Sequence, residues 1–422
     1  MVKAWNRNII VATVLIALLV CLSSTAFSQS QMGSIWFTNY DTLSRKSWVL
    51  LDGSGALGSQ VLDNRFANQM LLGGKLDKGY LRSLADRMNE QNGAGMDVCA
   101  GLSFWNFSDT IFKKPNLGFM AQIGTRYQGS LTFTRDFFEV GFLGNVDFAG
   151  RTAELGPLNG NLQAWQKFGF GIFNKKTKSY VSLSLIEGQL MQNISLRKGD
   201  FFTSATGDSL SLQYNGEYIR SDTARKGLMN GSGVGFCLDA GYNYVVPDGK
   251  SWFRFELQDM GLIFWNRATE RYQLNGQNSF TGLVIDDINN LSADSIDVPD
   301  FRDSLRYDYS KRRIAMAVQG RISLSFTHQM TSRSYLHFAT MILPNRAALP
   351  QIRASYAFAV RPCLLTSLVL SYGGYAAAGA GIDIQWMPKG NWYLRAQSGL
   401  LTGWLLPKSR GVDLGFTLGK NF

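Results

Sequence analysis

The run IAMAVQGRISLSFT at residues 314–327 alternates apolar with small or polar side chains over 14 positions. The even-numbered positions, starting with Ile314 and Met316, are mostly apolar. The odd-numbered positions carry Gln319, Arg321 and small residues. Successive side chains of a strand point to opposite faces, whereas a helix repeats its apolar residues every three or four positions. The pattern therefore predicts a strand, and one longer than the five or six residues usual in soluble proteins.

The same alternation recurs along the rest of the chain, at residues 117–134, 210–218, 234–244, 352–360 and 412–422. Turn-forming sequences such as VPDG at residues 246–249 and MPKG at residues 387–390 separate these runs. The nearly uncharged residues 363–381 are predicted as two strands joined at Gly373 and Gly374, because their glycines suit a helix poorly. Residues 94–422 have room for roughly 14 strands, within the range of outer-membrane barrels.

The composition supports a chain built from long strands. Aromatic residues make up 13% of the 422 residues and charged residues only 17%, which excludes a disordered chain. A mean hydropathy of −0.07 is too polar for a helical membrane protein. The formal net charge of +11 is spread along the chain without a Lys/Arg cluster, so we expect no nucleic-acid partner.

The N-terminus has the features of an export signal. Lys3 and Arg7 precede an apolar run at residues 9–22, and the small residues Ala26 and Ser28 favour cleavage after Ser28. Residues 1–28 are therefore predicted to be a signal peptide. The alternative, an uncleaved anchor helix, has only about 14 apolar residues, which is short for a membrane span.

Two further segments follow. Residues 29–93 form a less regular N-terminal segment that can include a first strand, and residues 94–422 form the barrel. Within residues 77–91, Leu81, Leu84, Ala85 and Met88 share one helical face. We expect this helix to be either a plug inside the barrel or a short helix on the periplasmic side.

Aromatic placement favours a membrane barrel over a soluble β-sandwich, the alternative fold. Trp392 and Trp404 have the same parity, and a strand of twelve residues is about 40 Å long. Tilted by about 45°, such a strand gains nearly 30 Å of height, so one Trp would lie at each membrane interface. Polar residues of the opposite parity are then candidates to face the lumen: Gln122, Arg126, Asp239, Arg321, Arg353 and Arg395.

The last strand carries a further signal. Val412, Leu414, Phe416 and Leu418 alternate, and the sequence finishes with Phe422 on the same parity. An amphipathic strand with a terminal aromatic residue resembles the signal that the outer-membrane barrel insertion machinery reads. We therefore expect this machinery and outer-membrane lipid to be partners of the chain.

Three stretches resemble a known family: FFEVGFLGN at residues 137–145, residues 168–188, and LQDMGLIFW at residues 257–265 with FTG at residues 280–282. They resemble the uncharacterised Bacteroidota-type outer-membrane β-barrels related to the long-chain fatty-acid transporter superfamily. The resemblance implies a single barrel with no cofactor and no assigned activity. Its relatives include transporters of hydrophobic compounds and accessory barrels of secretion machinery. Residues 29–91 lack the Asn-Pro-Ala signature of such transporters.

Residues that could carry catalysis or bind a metal are few. His328 and His337 are the only histidines, and Gly-x-Ser-x-Gly is absent, which disfavours a lipid hydrolase. Six aspartates between residues 286 and 303 lack the spacing of a calcium loop, so a solvated loop is favoured over a Ca²⁺ site. Cys99, Cys237 and Cys363 each lie in a strand-like run and indicate no disulfide framework. We predict no enzyme activity, no cofactor and no metal.

The sequence thus predicts an all-β transmembrane antiparallel barrel of the cell outer membrane, preceded by a short irregular or helical segment. Its expected function is to pass or bind small hydrophobic compounds. The alternative is an accessory barrel that docks partner proteins of an envelope or secretion complex. The sequence leaves open the ligand, the partners, the oligomeric state and whether the lumen is open or plugged.

Overall fold

The computed structural model describes residues 47–107, 111–225, 227, 230–280, 307–388 and 391–422. The predicted signal peptide and the aspartates between residues 286 and 303 lie outside these residues. The described strands, in chain order, are β1 (Trp48–Ser59), β2 (Gln91–Asn106), β3 (Leu117–Thr134), β4 (Arg151–Glu154), β5 (Leu158–Asn174), β6 (Tyr180–Thr203), β7 (Leu210–Arg220), β8 (Gly233–Val245), β9 (Ser251–Trp265), β10 (Glu270–Phe280), β11 (Tyr307–Lys311), β12 (Ile314–Ala317), β13 (Arg321–Thr331), β14 (Ser334–Ile342), β15 (Leu349–Arg361), β16 (Leu364–Gly374), β17 (Ala378–Trp386), β18 (Trp392–Ser398) and β19 (Gly411–Asn421).

Within the described residues, the strands form a closed antiparallel barrel of 14 strands. Around the wall the order is β1, β2, β3, β5, β6, β8, β9, β12 with β13 as one strand, and then β14 to β19. The barrel closes where β1 pairs with β19, from Trp48 opposite Asn421 to Gly58 opposite Gly411. This confirms the predicted fold class and strand number. The sequence analysis allowed a first strand within residues 29–93, and β1 is that strand.

Both ends of the described chain lie at one end of the barrel, which we call the terminal end. Short turns connect the strands there, at residues 175–179, 246–250 and 362–363. Asp248 shapes one of these turns, because its carboxylate accepts the backbone N–H groups of Lys250 and Ser251. Most of the longer connections lie at the opposite end, which we call the cap end.

Three helices cover the wall at the cap end: α1 (Asn64–Leu72), α2 (Lys78–Ala85) and α3 (Arg135–Phe142). Asp63, Asp77 and Thr134 begin them, each accepting a backbone N–H of the first turn. Leu84 packs with Phe133 on β3. Phe133 is at an odd-numbered position of β3, whereas the inward-facing residues are at even-numbered positions, so it lies on the outer face. The predicted helix, α2, therefore lies on the outer face of the wall at the cap end. The sequence left two other positions open, inside the barrel or on the periplasmic side.

A second sheet extends from the wall at the cap end. The last part of β6 pairs with β7, β7 with β10 and β10 with β11, and we call β7, β10 and β11 the extension sheet. Tyr218, Tyr272 and Tyr309 form a row across these strands on the face continuous with the outside of the barrel. The opposite face is polar, with Arg271 donating to Glu217 at 2.6 Å.

The alternating run that predicted the fold is interrupted. Residues 318–320 leave the sheet between β12 and β13, and the parity that faces inward changes there. Ile314 and Met316 pack against the interior cluster that contains Trp265, whereas Leu324 on β13 is exposed on the outer face. The predicted single strand is thus two strands with opposite orientation of their apolar residues.

Two other strand predictions have different outcomes. The two strands predicted in residues 363–381 are confirmed as β16 and β17, joined by a turn in which Gly373 and Gly374 have φ of 90° and 72°. The strand expected from residue 392 to residue 404 ends at Ser398, and Trp404 lies in a short helix, α4 (Leu401–Leu405). Trp392 and Trp404 therefore do not share a strand, although both are exposed.

The outer face of the wall is apolar along several strands. Exposed large side chains on this face include Ile123, Phe170, Leu183, Leu185, Phe236, Leu368 and Leu370. On β19, Val412, Leu414, Phe416 and Leu418 have this outward parity, and Phe422 is exposed beyond the strand. Soluble monomers seldom expose contiguous apolar surface of this extent. No helix in the described residues is long and apolar enough to cross a membrane.

Candidate functional site

The interior of the barrel is filled with side chains in three layers. At the terminal end the inward-facing residues are large and apolar. Trp105 on β2 packs against Phe173 on β5, with ring centroids 5.1 Å apart. The other members of this layer are Trp48, Leu50, Phe107, Met120 and Tyr393. These residues come from adjacent strands, from β18 through β1 to β5, and Tyr335, Ala357 and Leu365 fill the opposite side of the terminal end.

The cap end is closed partly by connections that fold inward. Val318, from the interruption between β12 and β13, packs with Trp165 and Trp265. Residues 343–348, which connect β14 to β15, also fold inward. In this connection Asn345 Nδ2 donates a hydrogen bond to the Tyr375 hydroxyl at 3.0 Å. Gln60 donates to the Ala347 carbonyl at 3.1 Å, which ties this connection to the segment after β1. Strand side chains and loops therefore close the cap end together.

Between these layers lies a belt of ion pairs that crosses the barrel. Arg126 on β3 binds Asp97 on β2 through two nitrogens, with Nε to Oδ1 at 2.9 Å, and also binds Asp259 on β9. Three wall strands separate β3 from β9, so the Arg126–Asp259 contact runs through the interior. Arg321 on β13 reaches Asp97 from the other side, at 3.2 Å. All four side chains are nearly fully buried.

A lysine extends the belt toward β8. Lys167 Nζ lies 2.6 Å from Asp259 Oδ1 and 3.1 Å from Asp239 Oδ2. Gln122 donates to the same oxygen of Asp239 at 2.8 Å. A register shift between β8 and β9 lies at this point, and Asp259 has a φ of 53°. The bulge lets the Asp259 backbone N–H donate to Asp239 at 2.7 Å.

Three further pairs complete the belt. Arg395 binds Asp383 in a bidentate pair, at 2.9 and 2.7 Å. Arg353 lies 3.3 Å from Asp413. The third pair is Arg254 with Glu256, which also accepts the Tyr180 hydroxyl at 3.2 Å.

The six polar residues predicted to face the lumen all lie on the inner side of the wall. The structure brings Gln122, Arg126, Asp239 and Arg321 into one network, and it places Arg353 and Arg395 in separate pairs. Sequence reasoning missed Asp97, Lys167 and Asp259. The parity of β2 and β5 could have identified Asp97 and Lys167, whereas the bulge hid the orientation of Asp259.

A cavity of about 120 Å³ lies beside this network. Its polar side includes Gln122, Arg126, Lys167, Asp239 and Asp259 together with Asp52, and its apolar side includes Trp105, Met120, Trp165 and Tyr180. Gly101 and Gly124 pair across β2 and β3 on the inner face and leave that part of the wall without side chains. The space is large enough for several waters or one small molecule.

Cys237, Asp239 and Asp259 bring possible metal-ligand atoms within 4.8 Å of one another. Lys167 and Arg126 already neutralise the two carboxylates. A metal ion would therefore have to displace a buried cation, and the donor set does not favour a metal centre.

The two histidines lie apart from this network. His328 Nδ1 is 2.9 Å from Ser251 Oγ, and Ser251 also donates to Asp248 at 2.8 Å. In a catalytic triad the carboxylate orients the histidine, not the serine. Here the Asp248 carboxylate contacts the serine and forms part of the turn at the terminal end. His337 Nδ1 faces the Thr327 hydroxyl at 2.8 Å.

The fold and the interior of the described residues together define a closed 14-stranded β-barrel with a charge-paired interior and a small amphiphilic cavity beside the ion pairs. The chain belongs to a family of unknown function (DUF5723), whose model matches residues 75–396. No curated protein matches it.

Three solved structures are similar along most of the chain. The toluene transporter TodX of Pseudomonas putida is 10% identical, with 94% of each chain covered and a TM-score of 0.40. The toluene transporter TbuX of Ralstonia pickettii is 8% identical, with 89% of each chain covered and a TM-score of 0.42. The translocator domain of the autotransporter NalP from Neisseria meningitidis is 9% identical, covers 97% of this chain and 98% of its own, and has a TM-score of 0.33. These TM-scores are all below 0.5, so the assignment of the barrel fold rests on the strand arrangement of this chain and not on these similarities. The expected relation to fatty-acid transporters and the Bacteroidota-type origin stay predictions.

Proposed function

We propose that the protein is a non-enzymatic outer-membrane β-barrel that binds a small, partly hydrophobic compound inside a closed barrel. The cavity carries this proposal. It has an apolar side formed by Trp105, Met120 and Tyr180, and a polar side that includes Gln122 and Lys167. A mainly apolar lining with a few convergent polar groups is typical of small-molecule sites, and the volume of about 120 Å³ restricts the ligand to a small compound.

The membrane location is supported by the apolar outer face and by the connections. Barrels of the outer membrane have short periplasmic turns and longer external loops. The terminal end would then face the periplasm, and the helices and the extension sheet would lie at the outer side. Trp392 and Trp404 would lie toward opposite interfaces, and β19 with Phe422 would supply the insertion signal.

The filled interior favours binding over free diffusion. Barrels of 16–18 strands leave an aqueous channel, and about eight strands are filled by side chains alone. In this barrel of 14 strands the aromatic layer, the ion pairs and the inward loops occupy the interior. Passage of a compound would therefore require one layer to move, and we expect no steady ion conductance in planar bilayers.

The test is a binding measurement on barrel reconstituted in detergent, with folding verified by the mobility difference between boiled and unboiled samples. The probe is 1-phenylethane-1,2-diol, followed by the change in total tryptophan fluorescence, to which Trp105 and Trp165 beside the cavity contribute. Gly101→Leu should abolish binding, because the new side chain enters the cavity while its Cβ meets the Ile123 carbonyl oxygen at 3.3 Å and the Gly124 Cα at 3.8 Å without overlap.

The control is Gly141→Leu in α3, where nothing lies within 4 Å of the added Cβ. This variant should bind as the wild type does. Equal binding by wild type and Gly101→Leu would place the probe elsewhere and contradict the proposal.

A second candidate function, docking of an envelope or secretion partner, is favoured by the extension sheet. This sheet projects beyond the barrel and carries the tyrosine row of Tyr218, Tyr272 and Tyr309 on one face. Tyrosine is enriched in protein interfaces. Co-purification of a stoichiometric partner that is lost on changing these three tyrosines to serine would support docking. Isolation of the protein alone under crosslinking conditions would count against it.

A further inference from the structure

We propose that the ligand of the cavity is a small primary carboxamide, an uncharged compound whose amide group is attached to an aromatic or aliphatic body. This inference rests on the proposed ligand-binding function and names the class of compound. It is drawn from the ion pairs that already occupy the charged groups around the cavity and from the hydrogen-bonding groups that remain available in its wall.

The ionic side chains that line the cavity already have oppositely charged partners. These side chains are Arg126, Lys167, Asp239, Asp259 and Asp52. The first four are paired within the belt. Asp52 interacts electrostatically with Arg395. A charged ligand would have to compete with these pairs in an interior that solvates ions poorly. We therefore expect the polar end of the ligand to be uncharged.

Gln258 provides a side-chain amide that is not engaged elsewhere in the protein. A regular strand would point the consecutive residues Gln258 and Asp259 to opposite faces. The bulge between β8 and β9 lets both of them line the cavity. Within the described residues the Gln258 amide makes no hydrogen bond. A polar group in the interior without a partner is costly, so a ligand that bonds to this amide gains free energy.

Two other side chains of the lining have hydrogen-bonding capacity to spare. Gln122 donates through Nε2 to Asp239, which leaves its Oε1 as an acceptor. Lys167 has three N–H donors, and within the described residues two of them go to Asp239 and Asp259. The wall of the cavity thus offers two amide oxygens as acceptors. As donors it offers the NH₂ group of Gln258 and one N–H of Lys167.

A primary carboxamide matches this set of groups. Its carbonyl oxygen has two lone pairs and its nitrogen carries two N–H donors. The oxygen can accept from Lys167 and Gln258, and the N–H groups can donate to the oxygens of Gln122 and Gln258. A ketone lacks the donors, and a carboxylate lacks them and adds a charge. The body of the ligand would bury its surface against Trp105 and Tyr180, whose ring centroids are 6.2 Å apart.

The experiment compares three probes that share a phenyl ring. They are benzamide, acetophenone, which lacks the N–H donors, and benzoate, which lacks them and is charged. Binding to the full-length barrel in detergent is measured at pH 7 by calorimetry. We expect benzamide to bind about tenfold tighter than acetophenone, because it makes additional hydrogen bonds, and benzoate to bind most weakly.

Gln258→Met tests the amide itself. Since this side chain makes no hydrogen bond in the described part of the chain, its loss should leave the folding unchanged. The variant should lose most of the advantage of benzamide over acetophenone. The matched control is Gln351→Met on β15, a buried glutamine outside the lining of the cavity, which should leave both affinities unchanged. Detergent takes up each probe equally in all samples, so differences between variants come from the protein.

The outcomes separate the class of ligand from the ligand-binding function. If Gln258→Met leaves the ratio of the two affinities unchanged, or if acetophenone or benzoate binds as tightly as benzamide, the carboxamide is wrong. The ligand-binding function then stands if Gly101→Leu abolishes the binding. If 1-phenylethane-1,2-diol alone binds, the carboxamide is likewise wrong. If neither the diol nor any of the three probes binds the folded barrel, both proposals fail.

Discussion

Replacing Arg395 by methionine tests whether the ion pairs of the barrel interior lie in a dry environment. Arg395 and Asp383 form a bidentate pair in which the side chains are only 6% and 12% exposed, and Gln385 also donates to Asp383 at 3.4 Å. Methionine keeps much of the volume but leaves the Asp383 carboxylate buried without its counter-charge. Breaking a buried pair in this way costs about 3–5 kcal/mol.

The double variant Asp383→Asn/Arg395→Met separates charge from packing. The asparagine amide carries no charge, so most of the lost stability should return, to within about 1–2 kcal/mol of the wild type. The free energy of unfolding is measured from urea titrations in lipid vesicles, with the folded fraction taken from the mobility of unboiled samples.

The matched control is Arg82→Met, which breaks the pair with Asp147. Its side chains are 64% and 50% exposed, so the loss should stay below about 1 kcal/mol. A loss for Arg395→Met no larger than for Arg82→Met would mean that water reaches Asp383. The description of a closed interior would then be wrong. A double variant less stable than Arg395→Met would refute the charge argument alone.

Two further predictions concern the cap end. Acidification should loosen the extension sheet first: burial opposes ionisation of Glu270, but hydrogen bonds from Arg220 and two tyrosines outweigh it and hold its pKa below the ordinary 4.5. The stability from this carboxylate is complete above pH 4.5 and is lost as the pH falls through the lowered pKa. Amide protection of the extension sheet should therefore drop as the pH is lowered below 4.5 in the wild type but not in Glu270→Gln. Gly95→Ala should cost about 1–3 kcal/mol in urea titrations, because the added Cβ overlaps the Tyr375 ring. Gly141→Ala in α3 has free space for the Cβ and should leave the stability unchanged or raise it by up to about 1 kcal/mol.

The barrel could be predicted because strand periodicity is a local property. Apolar and polar residues alternate within each strand, and turn sequences mark where strands end, so strand number follows without knowledge of distant contacts. The pairing of β1 with β19, which closes the barrel, could not be predicted from strand periodicity. The pairing of Trp48 with Asn421 joins opposite ends of the chain, and only the barrel geometry brings them together.

The orientation of side chains was harder to predict, and the run at residues 314–327 shows why. Its alternation is unbroken in sequence, yet the interruption at residues 318–320 turns Met316 inward and Leu324 outward. Alternation reports apolar side chains but not what they contact. Here apolar residues are exposed on the outer face and contact other side chains in the layers at both ends of the interior.

The interior network was partly visible in the sequence. Arg126 and Arg321 were identified from parity, but their shared partner Asp97 was not, because the two arginines approach it from strands on different sides of the barrel. Asp259 lies at a bulge, where the two-residue period fails. Which strands face each other across the lumen depends on the closed barrel as a whole.

The two closing layers differ in how easily they can move, and this bears on ligand exchange. Phe173 at the terminal end is carried by β5, which is paired with β3 and β6 along most of its length, so moving it requires the wall itself to deform. Trp105 lies on β2, which is paired along its length with β3 and with β1 at Ala94 alone. At the cap end, part of the closure comes from the residue 343–348 connection, held by side-chain hydrogen bonds from Gln60 and Asn345. Opening a loop breaks fewer contacts than opening a sheet, and local opening follows the least stable segment. We therefore expect a ligand of the cavity to exchange through the cap end, with the terminal layer remaining closed.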